Sequence, residues 1–276
     1  MKNKHILVTG GAGSIGSELV RQLSLENQVY FIDNNETPLF DLYEELRQSG
    51  LTVVARVGDV RNAGVFEDIL REFGQPEYIF HASAYKHVTP STWSPDEYIS
   101  TNITGTLNVL KFAARYGIRV INISTDKVVH SNSVMGATKK VAEIMTRDAG
   151  QISVRFGNVM GSRGSVIPIW QKQIDENKPL TVTDPSMERY MMTIPSACSL
   201  IIDAVEIGKP GDIIILEMGN RVNVLDLAKQ VLREAGRTDI EIKMIGARPG
   251  ETLDEKLLTP DEEKSVIKEG KYLILR

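Results

Sequence analysis

Short apolar runs rich in β-branched residues alternate with longer amphipathic segments along the first 156 residues. Such alternation is typical of βαβ units, in which a helix connects each strand to a parallel neighbour. The apolar runs predict strands over residues 5–8, 28–32, 52–57, 78–81, 120–124 and 152–156. We therefore expect a mostly parallel sheet whose strands are connected by helices.

The segments between these strands carry apolar residues at helical spacing. Ile15, Leu19 and Leu23 recur every fourth residue, so they share one face of the first helix. Pro38 near the start and Gly50 beyond the end frame the second helix. Three further helices are marked by Phe66, Ile69, Leu70 and Phe73, by Ile99, Ile103, Leu107 and Leu110, and by Val141, Ile144 and Met145. Six strands with five crossovers predict an α/β fold, a Rossmann doubly wound parallel sheet.

The regular alternation ends near Gly164. Beyond it, the pattern predicts helices over 167–177, 196–205 and 224–235, and strands over 180–183, 212–216 and 240–244. We therefore divide the chain into a Rossmann domain, residues 1–165, and a smaller substrate-binding lobe, residues 166–276. The strand near 212–216 is expected to return to the main sheet. No low-complexity linker separates the two parts, so we expect a ligand site in the cleft between them.

Composition narrows the possible functions. The chain has 276 residues, 42% of them hydrophobic, which suits one doubly wound domain and a smaller lobe. Its 32 basic and 36 acidic residues give a net charge of -4, so there is no electrostatic footprint for nucleic acid or an anionic membrane. The single cysteine, Cys198, excludes a disulfide framework, and the histidines lack metal-ligand spacing. No apolar run approaches the roughly 18 residues that span a bilayer, so we expect a soluble, cytoplasmic protein without a metal site.

Glycines lie directly between the first predicted strand and the first predicted helix. Gly11, Gly13 and Gly16 match the pattern G-x-G-x-x-G. Glycine permits the tight turn, the approach of the backbone to a pyrophosphate, and close packing of the helix, whose N-terminus faces the phosphates. A glycine-rich turn without a ligand is the alternative, which the strand-turn-helix context disfavours. Expected dinucleotide contacts in this loop are Gly10, Gly13, Ser14, Ile15 and Gly16.

Asp33 ends the second predicted strand. A carboxylate here can accept hydrogen bonds from the adenosine ribose and repel a 2′-phosphate, and no arginine follows it, so NAD is favoured over NADP. The alternative is that Asp33 only caps the turn that it begins. After the third strand, Asp59 and Val60 are expected beside the adenine, although Gly-Asp is also ordinary turn chemistry.

Polar motifs follow the fourth, fifth and sixth strands, where chemistry is expected in an open α/β sheet. They are HASAYKHV (81–88), STDKVVHSNSVMGATKK (124–140) and VRFGNVMGSRGS (154–165), followed by PLTVTDPSMERYMMTIPSA (179–197) and IGARPGETLDEKLL (245–258). Together these motifs resemble the extended short-chain dehydrogenases/reductases, and more narrowly the UDP-N-acetylglucosamine 4,6-dehydratases of polysaccharide biosynthesis. The resemblance runs from residue 6 to about residue 258, and several long motifs in order are more specific than the glycine loop alone.

The resemblance implies an NAD-dependent loss of water from the sugar: oxidation at C4, elimination across C5 and C6, and return of the hydride to C6. The superfamily's Tyr-x-x-x-Lys motif, whose tyrosine accepts the hydroxyl proton, here reads Met135-Gly136-Ala137-Thr138-Lys139. Methionine cannot exchange a proton, so Thr125 is our candidate base, with a relay to the ribose and Lys139. Similar subgroups of this dehydratase family also carry methionine, which argues for an active subgroup and suggests retention at C5.

Asp126 and Lys127 directly follow Thr125 and would carry the elimination. A ketone at C4 acidifies the C5 proton, which Lys127 would remove, while Asp126 would protonate the departing C6 hydroxyl. Lys127 is a base only when neutral, a state that desolvation and the neighbouring Lys139 are expected to promote. Taken alone, the pair also fits a solvated turn that Asp126 caps.

The resemblance also implies contacts with the cofactor and the substrate. The remaining cofactor contacts are Ala82, Asn102, Lys139 and Val159. The substrate contacts are Lys86, Asn158, Arg163, Arg189, Arg248 and the backbone around Thr181, which would face uracil. Arginine suits a diphosphate because its fork binds oxygens in pairs. His81 and His87 are expected to be structural, and family habit implies a homo-oligomer that pairs through the fourth and fifth helices.

The leading hypothesis is therefore an NAD-dependent 4,6-dehydratase that converts UDP-N-acetylglucosamine to a UDP-4-keto-6-deoxy sugar. A UDP-sugar 4-epimerase or 4-reductase on the same fold would not require the Asp-Lys pair. A non-catalytic NAD-binding sensor or scaffold is conceivable because the usual tyrosine is missing. The fold alone does not separate these three hypotheses.

Overall fold

The structure is a computed structural model, which describes residues 1–247 and 250–276. The strands are β1 (His5–Thr9), β2 (Gln28–Asp33), β3 (Val53–Val57), β4 (Tyr78–His81), β5 (Arg119–Ile123), β6 (Ile152–Arg155), β7 (Asn158–Met160), β8 (Leu180–Val182), β9 (Glu188–Thr193), β10 (Ile213–Leu216), β11 (Arg221–Asn223), β12 (Ile242–Met244), β13 (Ile267–Glu269) and β14 (Tyr272–Leu275). The helices are α1 (Ser14–Leu23), α2 (Glu36–Gln48), α3 (Gly64–Phe73), α4 (Pro95–Ile99), α5 (Thr106–Tyr116), α6 (Val134–Asp148), α7 (Val166–Asp175), α8 (Ile194–Ile207), α9 (Val224–Glu234) and α10 (Pro260–Ser265). Among the described residues, no helix is both long and apolar enough to cross a bilayer.

Nine of these strands form the main sheet, in the spatial order β13-β14-β10-β6-β5-β4-β1-β2-β3. The strands from β3 to β10 pair in parallel, and β14 runs antiparallel to both β10 and β13. The strand order 3-2-1-4-5-6 is that of a Rossmann sheet, so the predicted fold class is confirmed. The parallel register aligns the carboxyl ends of these strands along one edge, where a ligand is expected.

Successive side chains of the main-sheet strands pack alternately into two apolar layers, one on each face of the sheet. Ile6 and Val8 of β1 pack in one layer with α1, α2 and α8, whereas Leu7 packs in the other with α3 and α5. Period-two alternation of a strand produces this division, because successive side chains point to opposite faces. Both faces of the sheet are therefore covered, which explains why its central strands are apolar throughout.

A smaller apolar cluster forms a second lobe. Trp170 of α7 is fully buried against β8 and α9, and the two-stranded sheet β12-β8 lies beside this cluster. The three-stranded sheet β11-β9-β7 connects the lobe to the end of β6. The remaining C-terminal elements, α8, β10, β13 and β14, pack on or within the main sheet. The part of the chain after residue 166 thus contributes to both lobes, and β10 is the strand expected near 212–216.

A π-helical turn at Ser100–Gly105 interrupts the fourth predicted helix between α4 and α5. An extra residue in such a turn shifts which side chains face the core. Asn102 and Val109 are accordingly buried, whereas Ile99 and Leu107, which mark this helix in the sequence, are 49% and 38% exposed. The helical conformation was predicted correctly, but its buried face was not.

The same difference occurs in α6. Val141 and Ile144 are exposed, while Ala142, Glu143 and Thr146 face the interior. Glu143 is fully buried because it pairs with the equally buried Arg155, Nη2 to Oε1, at 2.7 Å. The prediction from apolar spacing was wrong for this face because an ion pair occupies it.

Candidate active site

The loop between β1 and α1 has room only for glycine at the positions where it closely approaches other backbone atoms. A Cβ on Gly10, whose φ is +67°, would lie 2.6 Å from the Ser83 nitrogen, and one on Gly16 would overlap the Gly10 carbonyl oxygen. Gly13 is the N-cap of α1, and no side chain caps this helix. The first residues of α1 line the cleft, where its N-terminal amides form a cradle for an anion such as a pyrophosphate.

Asp33, at the end of β2, accepts hydrogen bonds from two backbone amides and also lines a cavity. Its Oδ1 accepts a hydrogen bond from the Asn35 amide at 2.9 Å, and its Oδ2 accepts one from the Ala12 amide at 3.0 Å. It thereby fixes the turn and the glycine loop. It also lines a cavity of about 230 Å³ together with Gly10, Asp59 and Val60, where an adenosine fits.

Asn102 is not available to a cofactor. Its side chain is 1% exposed. Its amide accepts a hydrogen bond from the Tyr85 nitrogen and donates to the Tyr85 oxygen and to Thr138 Oγ1. The predicted contact was wrong, because Asn102 instead fastens the loop after β4 to α6.

A larger cavity of about 740 Å³ opens at the carboxyl ends of β1, β4, β5 and β6. It brings together most of the residues that the sequence singled out. They are Gly13, Ser14, Ile15, Gly16, Ala82, Lys86, Thr125, Asp126, Lys127, Met135, Lys139, Asn158, Val159, Arg163, Thr181 and Arg189. The cofactor cradle and the predicted catalytic residues therefore share one cleft.

Thr125, Asp126 and Lys127 form a tight 3-10 turn after β5. Thr125 Oγ1 accepts a hydrogen bond from the Lys127 amide at 3.4 Å and donates one to Asp126 Oδ1 at 2.9 Å. A Cβ on Gly136 would lie 2.7 Å from the Lys127 carbonyl oxygen, so only glycine lets the start of α6 pack against this turn. The turn is not a solvated loop, because Asp126 is 2% exposed.

Lys127 is held between two carboxyl groups. Its Nζ lies 3.0 Å from Asp126 Oδ1, 3.1 Å from Glu255 Oε1 and 3.4 Å from Asn158 Oδ1. Burial by itself would lower the pKa of Lys127, but Asp126 and Glu255 outweigh burial and raise that pKa above its usual value. The expectation that its surroundings promote the neutral amine was wrong, because it overlooked these two partners.

The pKa values of Asp126 and Glu255 are shifted in opposite directions from their ordinary values. Burial, aided by the charge of Glu255, raises the pKa of Asp126 to about 6 despite the opposing effect of Lys127. Burial would also raise the pKa of Glu255, but Lys127 and Arg189 lower it to about 2. The site therefore holds a protonatable acid, a carboxylate and an ammonium group side by side.

Lys139 lies on α6, one turn after the buried Met135. Its Nζ donates a hydrogen bond to the Ile123 oxygen at 2.6 Å. Burial lowers the pKa of Lys139 to about 8, partly offset by Glu143. The cation nearby also matters for His81, because burial and Lys139 together lower the pKa of that histidine to about 3. His81 is thus a neutral structural residue, hydrogen-bonded to Thr9 and Thr106.

Two basic side chains lie on the other wall of the cleft. Lys86 Nζ donates to Ser162 Oγ at 3.1 Å, and burial, with the charges of Lys127 and Arg163, lowers the pKa of Lys86. Arg163 is exposed and lines both cavities, and its amide donates to Ser14 Oγ at 3.0 Å. This wall provides positive charge next to the glycine loop, where diphosphate groups fit.

Two predicted substrate contacts are engaged within the protein. The Arg189 guanidinium donates to the carbonyl oxygens of Thr252 and Leu253 and pairs with Glu255, Nε to Oε2, at 3.3 Å. The Thr181 amide donates to Gln173 Oε1, and the Thr181 oxygen accepts from the Trp170 indole. Both residues line the cleft, but these groups already have partners within the protein, so their contact with a substrate stays a prediction. Arg248 lies outside the described residues.

Glu255 was missed by the sequence analysis. It is 7% exposed and reaches the cleft from the segment between β12 and α10. Its motif, IGARPGETLDEKLL, was recognised, but an acidic residue in a polar segment gives no local signal of burial. The available signal was indirect, since a buried lysine such as Lys127 needs a counter-ion.

Comparisons with known proteins show the family of this chain. A family profile described as "Polysaccharide biosynthesis protein" matches residues 6–276. The chain is 40% identical over 277 residues to the capsular polysaccharide biosynthesis protein CapD of Staphylococcus aureus, covering 95% of this chain and 46% of that protein. The chain thus spans about half the length of that relative.

Two further proteins are similar over most of the chain. A UDP-glucose 4-epimerase of Rickettsia bellii is 33% identical over 287 residues, covering 98% of this chain and 82% of that protein. The X-ray structure of Pen from Bacillus thuringiensis superposes with a TM-score of 0.93 at 37% identity, covering 99% of this chain and 89% of that one.

Proposed function

The chain belongs to the polysaccharide biosynthesis protein family, and from that premise we propose that it is an NAD-dependent UDP-N-acetylglucosamine 4,6-dehydratase. One observation carries the choice of reaction: Asp126 and Lys127 lie together in the cleft, and burial raises the pKa of Asp126 to about 6. An acid of this strength is still protonated in part near neutral pH and can donate that proton to a leaving hydroxyl. Epimerisation at C4 has no leaving group and no use for such an acid.

The proposed cofactor is NAD, which supplies a hydride acceptor and donor when bound. The cradle of Gly10, Gly13 and Gly16 supports the position of its pyrophosphate. Asp33, with Asp59 and Val60 in the adjoining cavity, supports an adenosine that carries free ribose hydroxyls. These residues hold and orient the cofactor, while acid-base chemistry is left to the side chains of the cleft.

Three consecutive residues divide the proton transfers. Thr125 takes the C4 hydroxyl proton for relay toward Lys139, and its hydrogen bond to Asp126 orients its hydroxyl in the cleft. Asp126 donates a proton to the C6 hydroxyl, which leaves as water. Lys127 takes the C5 proton in its neutral form, after its ammonium group has lost a proton to solvent. Lys139 is placed to support the nicotinamide ribose, and Met135 fills the position of the usual tyrosine.

Charge in the cleft supports a diphosphate-linked sugar. Lys86 and Arg163 would bind the diphosphate beside the glycine loop, and Asn158 would contact the sugar next to Lys127. Exposed apolar residues on α5 and α6, such as Leu107 and Ile144, support pairing of two copies through these helices. We place the protein in the cytoplasm, where nucleotide sugars are available.

A second candidate, a UDP-sugar 4-epimerase, is supported by the similarity to the Rickettsia bellii protein. Product mass separates the two. The purified protein, incubated with NAD and UDP-N-acetylglucosamine, should yield a product lighter by one water. A product of unchanged mass would support the epimerase instead. Cofactor binding without turnover would support a non-catalytic sensor.

A further inference from the structure

Glu255 is carried by a segment that is fastened to β9. The Glu188 amide donates to the Leu253 oxygen at 3.3 Å, and the Arg189 guanidinium donates to the carbonyl oxygens of Thr252 and Leu253. Asp254 adds an ion pair with Arg221 at the surface. The segment is therefore anchored immediately before the point where Glu255 enters the cleft.

Glu255 makes polar contacts with three groups of the elimination site. Its Oε1 lies 3.1 Å from Lys127 Nζ, and its Oε2 accepts from Asn158 Nδ2 at 3.0 Å and lies 3.3 Å from Arg189 Nε. Asp126 Oδ1 lies 3.0 Å from the same ammonium group. Asp126 Oδ2 is buried without a hydrogen-bond partner among the described residues, beside Gly157. The two carboxyl groups thus share the ammonium group of Lys127.

Resting on the proposed function, we propose that Glu255 is a positioning residue for the elimination step, holding Lys127 beside Asp126 and keeping Asp126 protonated. Two carboxyl groups that share a buried cation do not both ionise readily, because each charge disfavours the other. Glu255 takes the charge, since it alone also contacts Arg189 from β9. The proton is therefore left on Asp126, the residue that needs it.

The other charged groups around the pair fit this assignment. Lys86, from the loop after β4, is a further cation that interacts with Lys127. Lys139, from α6, donates to the Ile123 oxygen instead. Among the described residues, Glu255 is the one acidic side chain that contributes to raising the pKa of Asp126. Removing its charge should consequently lower the pKa of Asp126, and also that of Lys127.

The variant Glu255→Gln tests the proposal without substrate. Gln preserves the size of the side chain and its contact with Asn158 but removes the charge. In a titration followed by carboxyl carbon NMR of the whole protein, the Asp126 midpoint should lie near pH 6 in the wild type. In Glu255→Gln it should move down by about one pH unit or more. An unchanged midpoint would overturn the proposal.

A single turnover with NAD and UDP-N-acetylglucosamine gives the second readout. Glu255→Gln should form reduced cofactor at the wild-type rate but lose water about 10- to 100-fold more slowly at neutral pH, with recovery at lower pH. Glu255→Asp should restore part of that rate. Asp261→Asn, at an exposed residue of α10 that pairs with Lys264, should match the wild type in both steps. Equal slowing of both steps at every pH would contradict the proposal, because general damage acts in that way.

The two experiments distinguish a wrong proposed function from a wrong role for Glu255. If the wild-type protein releases no water, the proposed dehydratase function is wrong, while the Asp126 midpoint still decides whether Glu255 controls its protonation. If water is released but the midpoint does not move, only the role of Glu255 is wrong.

Discussion

Asp126 and Lys127 are neighbours in the chain, yet burial acts on them in opposite directions. Removal of a group from solvent disfavours its charged form, so burial raises the pKa of an acid and lowers that of an amine. For Asp126 this effect prevails and yields an acid that is protonated up to about pH 6. For Lys127 two carboxyl partners reverse it. The residue that is ready to react is therefore the acid, and the amine has to be deprotonated first.

Lys127→Ala should separate the two halves of the reaction. Oxidation at C4 does not use Lys127, so this variant should still form reduced cofactor in a single turnover while water loss falls about 100- to 10,000-fold. Thr125→Val should form no reduced cofactor and release no water, because the C4 hydroxyl proton then has no acceptor. Absorbance of reduced cofactor and product mass are the measurements. Water loss by Lys127→Ala within about threefold of the wild type would exclude Lys127 as the base.

Asp33 should determine the choice of cofactor. Its carboxylate repels a 2′-phosphate, so calorimetry should show tighter binding of NAD than of NADP. Asp33→Asn removes the charge and leaves a side-chain oxygen for the Asn35 or Ala12 amide, so it should reduce the preference while the fold is retained. If Asp33→Asn kept the full preference, Asp33 would serve only the turn.

Residues with fixed motif positions were predictable, whereas those with side-chain partners far along the chain were not. The glycine loop follows from local spacing, whereas Thr125, Asp126 and Lys127 were proposed from the family resemblance of the motif that carries them. Asn102 was misassigned because the partner that engages it, Tyr85, follows from the fold alone. The counter-ion Glu255 was missed for the same reason.

At the scale of elements, α6 shows how an ion pair can replace an apolar face. Glu143 receives hydrogen bonds from Arg155 and from Ser124, and Arg155 also contacts Glu262 of α10, Nη1 to Oε2, at 2.8 Å. Apolar periodicity predicts a helix reliably because the backbone repeats, but it presumes an apolar core. A buried polar network breaks that presumption, so the helix was predicted and its inward face was not.

Arg155→Ala should destabilise the protein strongly. It leaves the buried carboxylate of Glu143 with only the partly exposed Lys140 as a cation, and breaking a buried pair costs about 3 to 5 kcal/mol. Thermal unfolding should show a large drop in Tm. Arg47→Ala, which breaks an exposed pair on α2, should cost less than about 1 kcal/mol. Equal effects of the two variants would show that the Arg155 network is not a determinant of stability.

The docking of α10 should also depend on pH. Burial would raise the pKa of Glu262, but Arg155 and the Thr259 amide lower it to about 2. A lowered folded-state pKa contributes stability that is present above the ordinary glutamate value and is lost as pH falls toward 2. Unfolding by urea between pH 5 and pH 2 should show this loss, and Glu262→Gln should flatten it. If Glu262→Gln left the pH dependence of the free energy of unfolding unchanged, this account would be contradicted.

At the scale of the whole molecule, the cleft is assembled from parts that are distant in sequence. The main sheet supplies Asp126 and Lys127, and the C-terminal segment returns to supply Glu255. The parallel core was predictable because its strands are long and apolar. The edge strand β13 was not, since its residues are all exposed and carry no periodic signal. The predicted boundary at residues 165–166 does not separate the two lobes cleanly, because α8, β10 and β14 pack on or within the main sheet.

The fate of the hydrogen at sugar C4 tests the central claim most directly. UDP-N-acetylglucosamine carrying deuterium at C4 should give a product that is lighter by water and carries the deuterium at C6, with no accumulation of reduced cofactor. Proton-transfer groups at C5 and C6 have a purpose only in that reaction. Deuterium retained at C4 of an epimerised sugar, or lost to the added cofactor, would contradict the assignment as a 4,6-dehydratase.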